Sequence, residues 1–212
     1  IAGCVSQPAC QALTISPNPT VDVAVGNNDP TICWSEDFSL TATGASTYVW
    51  TGPNSFSANG ANQTVSNAEN GDAGYYVVTG TDANGCSASD SIDISILALP
   101  TIVLNTDGTN DLFCQSTDAT ISAAGATSYA WTGPNGYTNT GSPVTIINMV
   151  EANEGYYYAT GTDANGCSAT DSVLLIVADN PTTSAPNDTT ICPGESLTLS
   201  ASGGVTYTWT GP

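Results

Sequence analysis

Not one lysine, arginine or histidine occurs in the 212 residues, whereas 19 aspartates and glutamates give a formal net charge of −19. Average usage would supply roughly 20–25 basic residues in a chain of this length. That gap removes whole classes of function. No basic groove is available for DNA or RNA phosphates, and no polybasic patch for an anionic membrane surface. No cationic side chain can clamp a nucleotide or a phosphorylated substrate. Catalytic sites built on Ser-His-Asp, Cys-His or Ser-Lys are ruled out, as is a Lys–Asn isopeptide. A nucleophilic cysteine would lack a basic neighbour to activate it. No conventional side-chain salt bridge can form, which costs little because surface ion pairs contribute little. Trypsin has no site to cut. Long apolar runs are missing too: no stretch approaches 18 apolar residues, so no transmembrane segment is read and no direct membrane insertion is expected. No signal peptide is visible, and the first residue is Ile1.

What is present repeats itself. Residues 33–96 align without a gap onto 114–177, shifted by 81 positions, and 30 of the 64 pairs are identical. Both copies contain Tyr-x-Trp-Thr-Gly-Pro-Asn, Gly-Tyr-Tyr and Thr-Gly-Thr-Asp-Ala-Asn-Gly-Cys-Ser-Ala. A third copy starts at Cys192 and reaches Trp209, with the same 17-residue spacing as Cys33 to Trp50 and Cys114 to Trp131. The domain reading is therefore 1–21 as an N-terminal segment and the end of a preceding repeat, 22–98 as repeat 1, 99–179 as repeat 2, and 180–212 as the first half of repeat 3. The 212 residues are read as a segment of a longer polypeptide, with a processed N-terminus and a small Cys4–Cys10 loop as the rival for its beginning. Tandem arrays of small domains usually serve as stalks, spacers or multivalent surfaces.

Forty per cent apolar residues, with Trp, Tyr, Val and Ile at regular intervals, argue for packed strands rather than acidic disorder. Thr47 to Thr51 alternates so that Tyr48 and Trp50 share a face. Trp50, Trp131 and Trp209 are read as core anchors. Asp72-Ala-Gly-Tyr-Tyr76 has the pattern of a tyrosine corner, which makes Tyr76 and Tyr157 further anchors. Asp82-Ala-Asn-Gly85 is a hairpin turn, since Asn-Gly tolerates positive φ. Ile92, Ile94 and Ile96 share the face of a last strand, with Asp93 and Ser95 outward. In the second copy this strand reads Val173-Leu-Leu-Ile-Val177, apolar on both faces. The fold class is all-β: tandem immunoglobulin-like or related Greek-key β-sandwich domains, arranged as an extended rod with Pro-containing joints at Leu99-Pro100 and 180–186.

Cys33 and Cys86, then Cys114 and Cys167, recur 53 residues apart. The recurrence favours one structural disulfide within each domain, formed in an oxidising compartment. The rival pairing joins neighbouring copies as Cys86–Cys114 and Cys167–Cys192, and the pairing of Cys4, Cys10 and Cys192 stays open. Cα separation decides such cases, and spacing does not supply it.

The combination of Tyr48-x-Trp50, Gly-x-Tyr and Thr81-Asp-Ala-Asn-Gly-Cys86, repeated at Thr162 to Cys167, resembles repeats of very large secreted surface proteins of Bacteroidota. These include immunoglobulin-like and polycystic-kidney-disease-like stalk domains and the repeats of gliding-motility adhesins. The resemblance covers roughly residues 22–178 and the start of the third copy. It implies an extracellular, cell-surface location and export by the type 9 secretion system, with a sorting domain outside this segment. It also implies O-glycosylation at Asp-Ser followed by an apolar residue, which places candidate sites at Ser91 and Ser172; the rival reading is ordinary strand residues. Asn62-Gln-Thr64 and Asn187-Asp-Thr189 match the N-glycosylation pattern, a weaker match in a bacterial protein.

No catalytic residues are assigned and no enzyme is expected. No cofactor is assigned either, with calcium the one candidate. Asp82, Asn84 and Asp90, with Asp72, Asp22, Asp29, Asp107 and Asp111 behind them, offer the hard oxygen ligands calcium takes; solvated turn chemistry is the rival. The leading function is a structural repeat in a long extracellular filament or adhesin stalk. Its partners are adjacent repeats of the same chain and other copies in a filament. The alternatives are direct binding of glycans or another surface, for which Phe56 and Tyr137 are candidate exposed aromatics, and accessory domains of a secreted enzyme.

Overall fold

In the first repeat Thr47, Val49 and Thr51 face solvent while Tyr48 and Trp50 are buried, the two-residue period of a strand covered on one side. The same rule builds its neighbours. Phe38, Leu40 and Ala42 point inward along one strand, Tyr76, Val78 and Gly80 along another, and Ile94 lies at the centre of the last. The computed structural model describes residues 13–184 and 188–210. The chain divides into two units between Leu99 and Pro100.

Unit 1 carries β1 (Asp22–Val25), β2 (Thr31–Cys33), β3 (Phe38–Thr43), β4 (Thr47–Thr51), β5 (Ser57–Asn59), β6 (Asn62–Val65), β7 (Gly74–Thr81) and β8 (Ser87–Leu97). They form a three-stranded sheet, β1-β3-β6, and a five-stranded sheet, β2-β8-β7-β4-β5. All pairings are antiparallel except β2 with β8. Unit 2 repeats the plan with β9 (Val103–Thr106), β10 (Leu112–Cys114), β11 (Ala119–Ala124), β12 (Ser128–Thr132), β13 (Thr138–Thr140), β14 (Val144–Ile146), β15 (Gly155–Thr162) and β16 (Ser168–Ala178). Its sheets are β14-β11-β9 and β10-β16-β15-β12-β13, with β10 and β16 parallel. Two sheets with one core between them, strands crossing from one sheet to the other, and a tyrosine corner define an immunoglobulin-like β-sandwich. The protein is all-β with two such sandwiches in tandem.

The two cores are copies. Trp50 and Trp131 are wholly buried, and each indole Nε1 donates to a backbone carbonyl, Gly60 or Gly141, at 2.8 Å. Tyr76 and Tyr157 are equally buried and donate to the carbonyls of Asp72 (3.1 Å) and Asn153 (3.0 Å). These bonds are the tyrosine corner, and they satisfy a hydroxyl that burial would otherwise penalise. Phe56 packs edge-on against Tyr76 at 5.1 Å and Tyr137 against Tyr157 at 5.2 Å. The glycine of Thr-Gly-Pro-Asn is required by this packing: a Cβ at Gly52 or Gly133 would lie 2.7 or 2.6 Å from the tyrosine ring. Phe56 and Tyr137, expected as exposed aromatics for the binding alternative, thus belong to the packing of the sandwich.

Two expectations need correction. Trp209 is 49% exposed and anchors no core. Among the described residues, 188–210 form no strand, and one isolated bridge joins Ser184 to Ser202. A tryptophan on half a sandwich has no second sheet to cover it. The within-domain disulfides also fail. Cys86 and Cys114 are free thiols, as is Cys192, while Cys33 and Cys167 are each disulfide-bonded. The reason is the length of the last strand. Cys33 is the Cα partner of Leu97, and Cys86 immediately precedes Ser87 at the other end of the same 11-residue strand. At about 3.3 Å per residue the two lie roughly 35 Å apart, against a limit of about 7 Å for Cα atoms in a disulfide. Cys114, opposite Ala178, and Cys167, before Ser168, repeat the geometry on β16. The free thiols of Cys86, Cys114 and Cys192 exclude the rival pairs as well. The readings placed on Cys4, Cys10 and Asn187 lie outside the described residues.

Replacing Trp50 or Trp131 with alanine should destabilise its own unit by about 3–5 kcal/mol, read as a shifted midpoint in urea denaturation. The tyrosine corners give a pH signature. Burial, reinforced by the Asp72 carboxylate, raises the Tyr76 hydroxyl to about 12; burial, then Tyr137, raises that of Tyr157. The folded state therefore holds these protons after the unfolded chain, titrating near pH 10, has begun to lose them. Their contribution to stability is complete below pH 10 and declines as pH rises towards 12. The Tyr76→Phe/Tyr157→Phe double variant should lose stability at pH 7, by about 1 kcal/mol for each missing hydrogen bond. It should also show a shallower decline between pH 10 and 12 in denaturation midpoints.

Candidate functional site

The motif Thr-Asp-Ala-Asn-Gly-Cys is the most conspicuous shared segment, and the structure shows what it builds. Asp82 Oδ1 accepts hydrogen bonds from the backbone N–H groups of Asn84 (2.8 Å) and Cys86 (2.9 Å). Asp163 does the same for Asn165 (2.8 Å) and Cys167 (2.9 Å). The backbone closes the same turn, since Asp82 N–H donates to the Cys86 carbonyl and Asp163 N–H to that of Cys167. Gly85 and Gly166 take the positive φ this requires, 85° and 89°. A charged acceptor suits amide donors at a turn, so the aspartate fixes the loop that presents the second cysteine of each copy.

The first cysteine is held at the other end of each sandwich. Trp34 N–H donates to the Leu97 carbonyl at 2.8 Å and Gln115 N–H to that of Ala178 at 2.8 Å. Each copy thus carries one cysteine at the end where its first strand begins and one at the end where its last strand finishes. Cys33 and Cys167, the bonded pair of residues, are buried; their counterparts Cys114 and Cys86 are exposed and half-buried.

The calcium candidates are occupied by turn and strand hydrogen bonds and are not gathered together. Asp90 lies along β8, away from the Asp82 turn, and its carboxylate accepts from Val23 N–H (3.0 Å) and Ser91 N–H (2.8 Å). Asp107 accepts from Thr120 N–H, Asp111 from the Thr106 hydroxyl, and Asp29 from Thr31 N–H. Among the described residues no group of three or more Cys, Asp or Glu side chains converges to hold a metal ion. Ser91 and Ser172 are exposed on β8 and β16, and each backbone N–H is bound by the preceding aspartate.

Sequence reasoning missed one surface. Tyr156 and Tyr158 point away from the core on either side of buried Tyr157, both about half exposed, with ring centroids 6.2 Å apart. Leu174 is the Cα partner of Tyr156, and Leu112 that of Ile176. These exposed residues give the outer face of the five-stranded sheet in unit 2 an apolar stripe. The equivalents in unit 1 of Leu174, Ile176 and Leu112 are Asp93, Ser95 and Thr31. The signal lay in the alternation of Gly-Tyr-Tyr-Tyr, which forces the tyrosines flanking Tyr157 outward. A shallow depression recurs in both copies, beside Tyr48, Asn59 and Gly60 in one and Tyr129, Thr140 and Gly141 in the other, with no charged side chain in its lining.

No protein-family model and no curated protein matches the chain. Among solved structures, the three N-terminal domains of the bacteriophage RB49 Highly Immunogenic Outer Capsid protein (Hoc) are 21% identical over 81% of this chain and 61% of that one, with a TM-score of 0.40. An amphioxus IgVJ-C2 molecule is 18% identical over 69% of this chain and 99% of that one, with a TM-score of 0.34. The N-terminal eight Ig domains of Down Syndrome Cell Adhesion Molecule are 16% identical over 76% and 25%, with a TM-score of 0.39. Each likeness is one of fold alone.

Asp163→Ala should release the amides of Asn165 and Cys167. Hydrogen exchange at those two sites should accelerate, and unit 2 should lose about 1–2 kcal/mol. Asp163→Asn, which keeps an acceptor oxygen, should recover part of both.

Proposed function

We propose that this chain is a non-enzymatic structural segment of a long extracellular filament or adhesin stalk. The observation that carries the reading is the duplication of architecture at an 81-residue period. Tryptophan anchor, tyrosine corner and Asp-capped cysteine turn recur with matching hydrogen bonds, while the outer sheet face differs between copies. Conserved scaffolding beneath a changing surface is what an array needs if length is its product, because each copy supplies the same rise. The bonded cysteines support an oxidising, extracellular setting. The uniform negative charge supports extension, since like charges disfavour collapse of one array onto another at low salt. In this reading the units follow one another as a rod, their partners are neighbouring repeats and other copies in a filament, and Ser91 and Ser172 are accessible positions for O-glycans. The Bacteroidota surface-protein assignment and type 9 export belong to the same proposal and rest on the motif resemblance.

One observation favours a second reading. The paired, exposed Tyr156 and Tyr158 offer aromatic faces to a ligand, and the uncharged depression beside Tyr129 suits a neutral one. This supports direct binding of glycans by the second repeat.

Cryo-electron microscopy of the native material should show continuous rods of domains of about 80 residues in series; compact particles with no serial repeat would overturn the stalk reading. For the binding reading, the intact chain should bind neutral glycans on an array and Tyr156→Ser/Tyr158→Ser should lose that binding while keeping its thermal midpoint. Equal signals from both proteins would remove it.

A further inference from the structure

We propose that the cysteines staple successive copies: the first cysteine of one copy bonds the second cysteine of the next, so that Cys33 is joined to Cys167. The argument uses each sandwich by itself and the continuity of the chain. Within a copy the two cysteines stand at opposite ends of an 11-residue strand and cannot meet. Cys33 sits beside Leu97, where the last strand of its copy finishes. The next copy begins five residues later with Ile102, whose side chain is packed against the turn-proximal end of β15: a Cβ at Gly161 would fall 2.4 Å from its Cδ1. Gly161 is the Cα partner of Ala169, two residues past Cys167. Five residues of chain span at most about 18 Å. Connectivity alone therefore keeps the first cysteine of one copy within a short tether of the second cysteine of the copy that follows.

The redox states agree. Cys33 and Cys167 are bonded, and Cys86, Cys114 and Cys192 are thiols. Two other cysteines exist, Cys4 and Cys10. Ser16, six residues after Cys10, lies at the Cys86 end of its unit, with its carbonyl 3.8 Å from the Cys86 sulfur. Six residues reach at most about 21 Å, short of the roughly 35 Å to Cys33 along β8. Cys4 reaches it only if nearly all twelve intervening residues are stretched out. The staple rule also assigns the thiols: Cys86 is a second cysteine awaiting the first cysteine of a preceding copy, and Cys114 and Cys192 are first cysteines awaiting the second cysteine of a following one. Burial follows the same division, with the bonded cysteines covered and their counterparts more open.

The chemistry is two-electron oxidation. The Cys33 and Cys167 thiols lose two protons and two electrons, the S–S bond forms, and a disulfide-bearing oxidant is reduced to its dithiol. The bonded residues are 134 positions apart, longer than the 81-residue period. In an array the loops of neighbouring staples therefore overlap, and no copy can be pulled out without loading the bond to the next. The pairing is a question of covalent structure and stands apart from the stalk reading.

The test is peptide mapping of the oxidised, full-length chain. Free thiols are alkylated in denaturant without reductant, and the chain is cut with a protease specific for aromatic residues, because trypsin finds no site. The expected result is a linked peptide pair containing Cys33 and Cys167, with alkylated Cys86, Cys114 and Cys192. A link from Cys33 to Cys4, Cys10 or Cys86, a link from Cys167 to Cys114, or alkylation of both Cys33 and Cys167 would overturn the proposal. Cys33→Ser should expose one additional thiol, at Cys167, and Cys33→Ser/Cys167→Ser should return the count to that of the parent. A new thiol at Cys4 or Cys10 in Cys33→Ser would be a second route to the same refutation.

Discussion

With no cation anywhere in the chain, a carboxylate in this protein has only amide and hydroxyl hydrogens to turn to. That constraint organises the turns. Asp82 and Asp163 cap the cysteine turns. Asp37 holds Asn67 N–H, and its counterpart Asp118 holds Asn148 N–H, which ties the segment before β3 or β11 to the strand two places on. Glu36 accepts from Cys33 N–H and Glu195 from Cys192 N–H. A charged acceptor makes a stronger bond than a neutral one and has no competing ion-pair partner here. Acidic residues that would elsewhere decorate the surface therefore act as local braces for an otherwise ordinary sandwich.

The core and these braces divide the task. Tryptophan and tyrosine supply apolar burial, and each sends its single polar group to a nearby carbonyl, so the core holds no orphaned side-chain donor or acceptor among the described residues. The carboxylates fix the loops at both ends, where the cysteines sit. The consequence for function is a unit whose interior and ends are specified and whose outer sheet face is left to vary, polar around Asp93 and Ser95 and apolar around Leu174 and Ile176.

Much of this could be read before any coordinates. The strand from Thr47 to Thr51 follows from alternation and appears with those limits. The tyrosine corner and the Asn-Gly turn follow from local patterns whose physics is local, and both are present. The outward faces of Tyr156 and Tyr158 were implicit in the same alternation, but attention to the core tyrosine hid them. Phe56 and Tyr137 show the opposite case. Their loop position suggested exposure, and only a neighbouring tyrosine ring from a strand some 20 residues away could cover them.

The cysteines mark the boundary between the two kinds of knowledge. Recurrence at 53 residues looks like a closed loop within a domain, because sequence separation carries no direction. Once β2 pairs parallel to the end of β8, and Cys86 stands at that strand's beginning, the same spacing becomes the length of the sandwich. The sequence by itself determined the repeat, the all-β class, the core tryptophans of the two complete copies and the exclusion of cation-dependent chemistry, because composition and period-two patterning are local properties. Tertiary structure alone decided which cysteines can meet and which aromatics face water, because both depend on where distant strands are placed across and along a sheet.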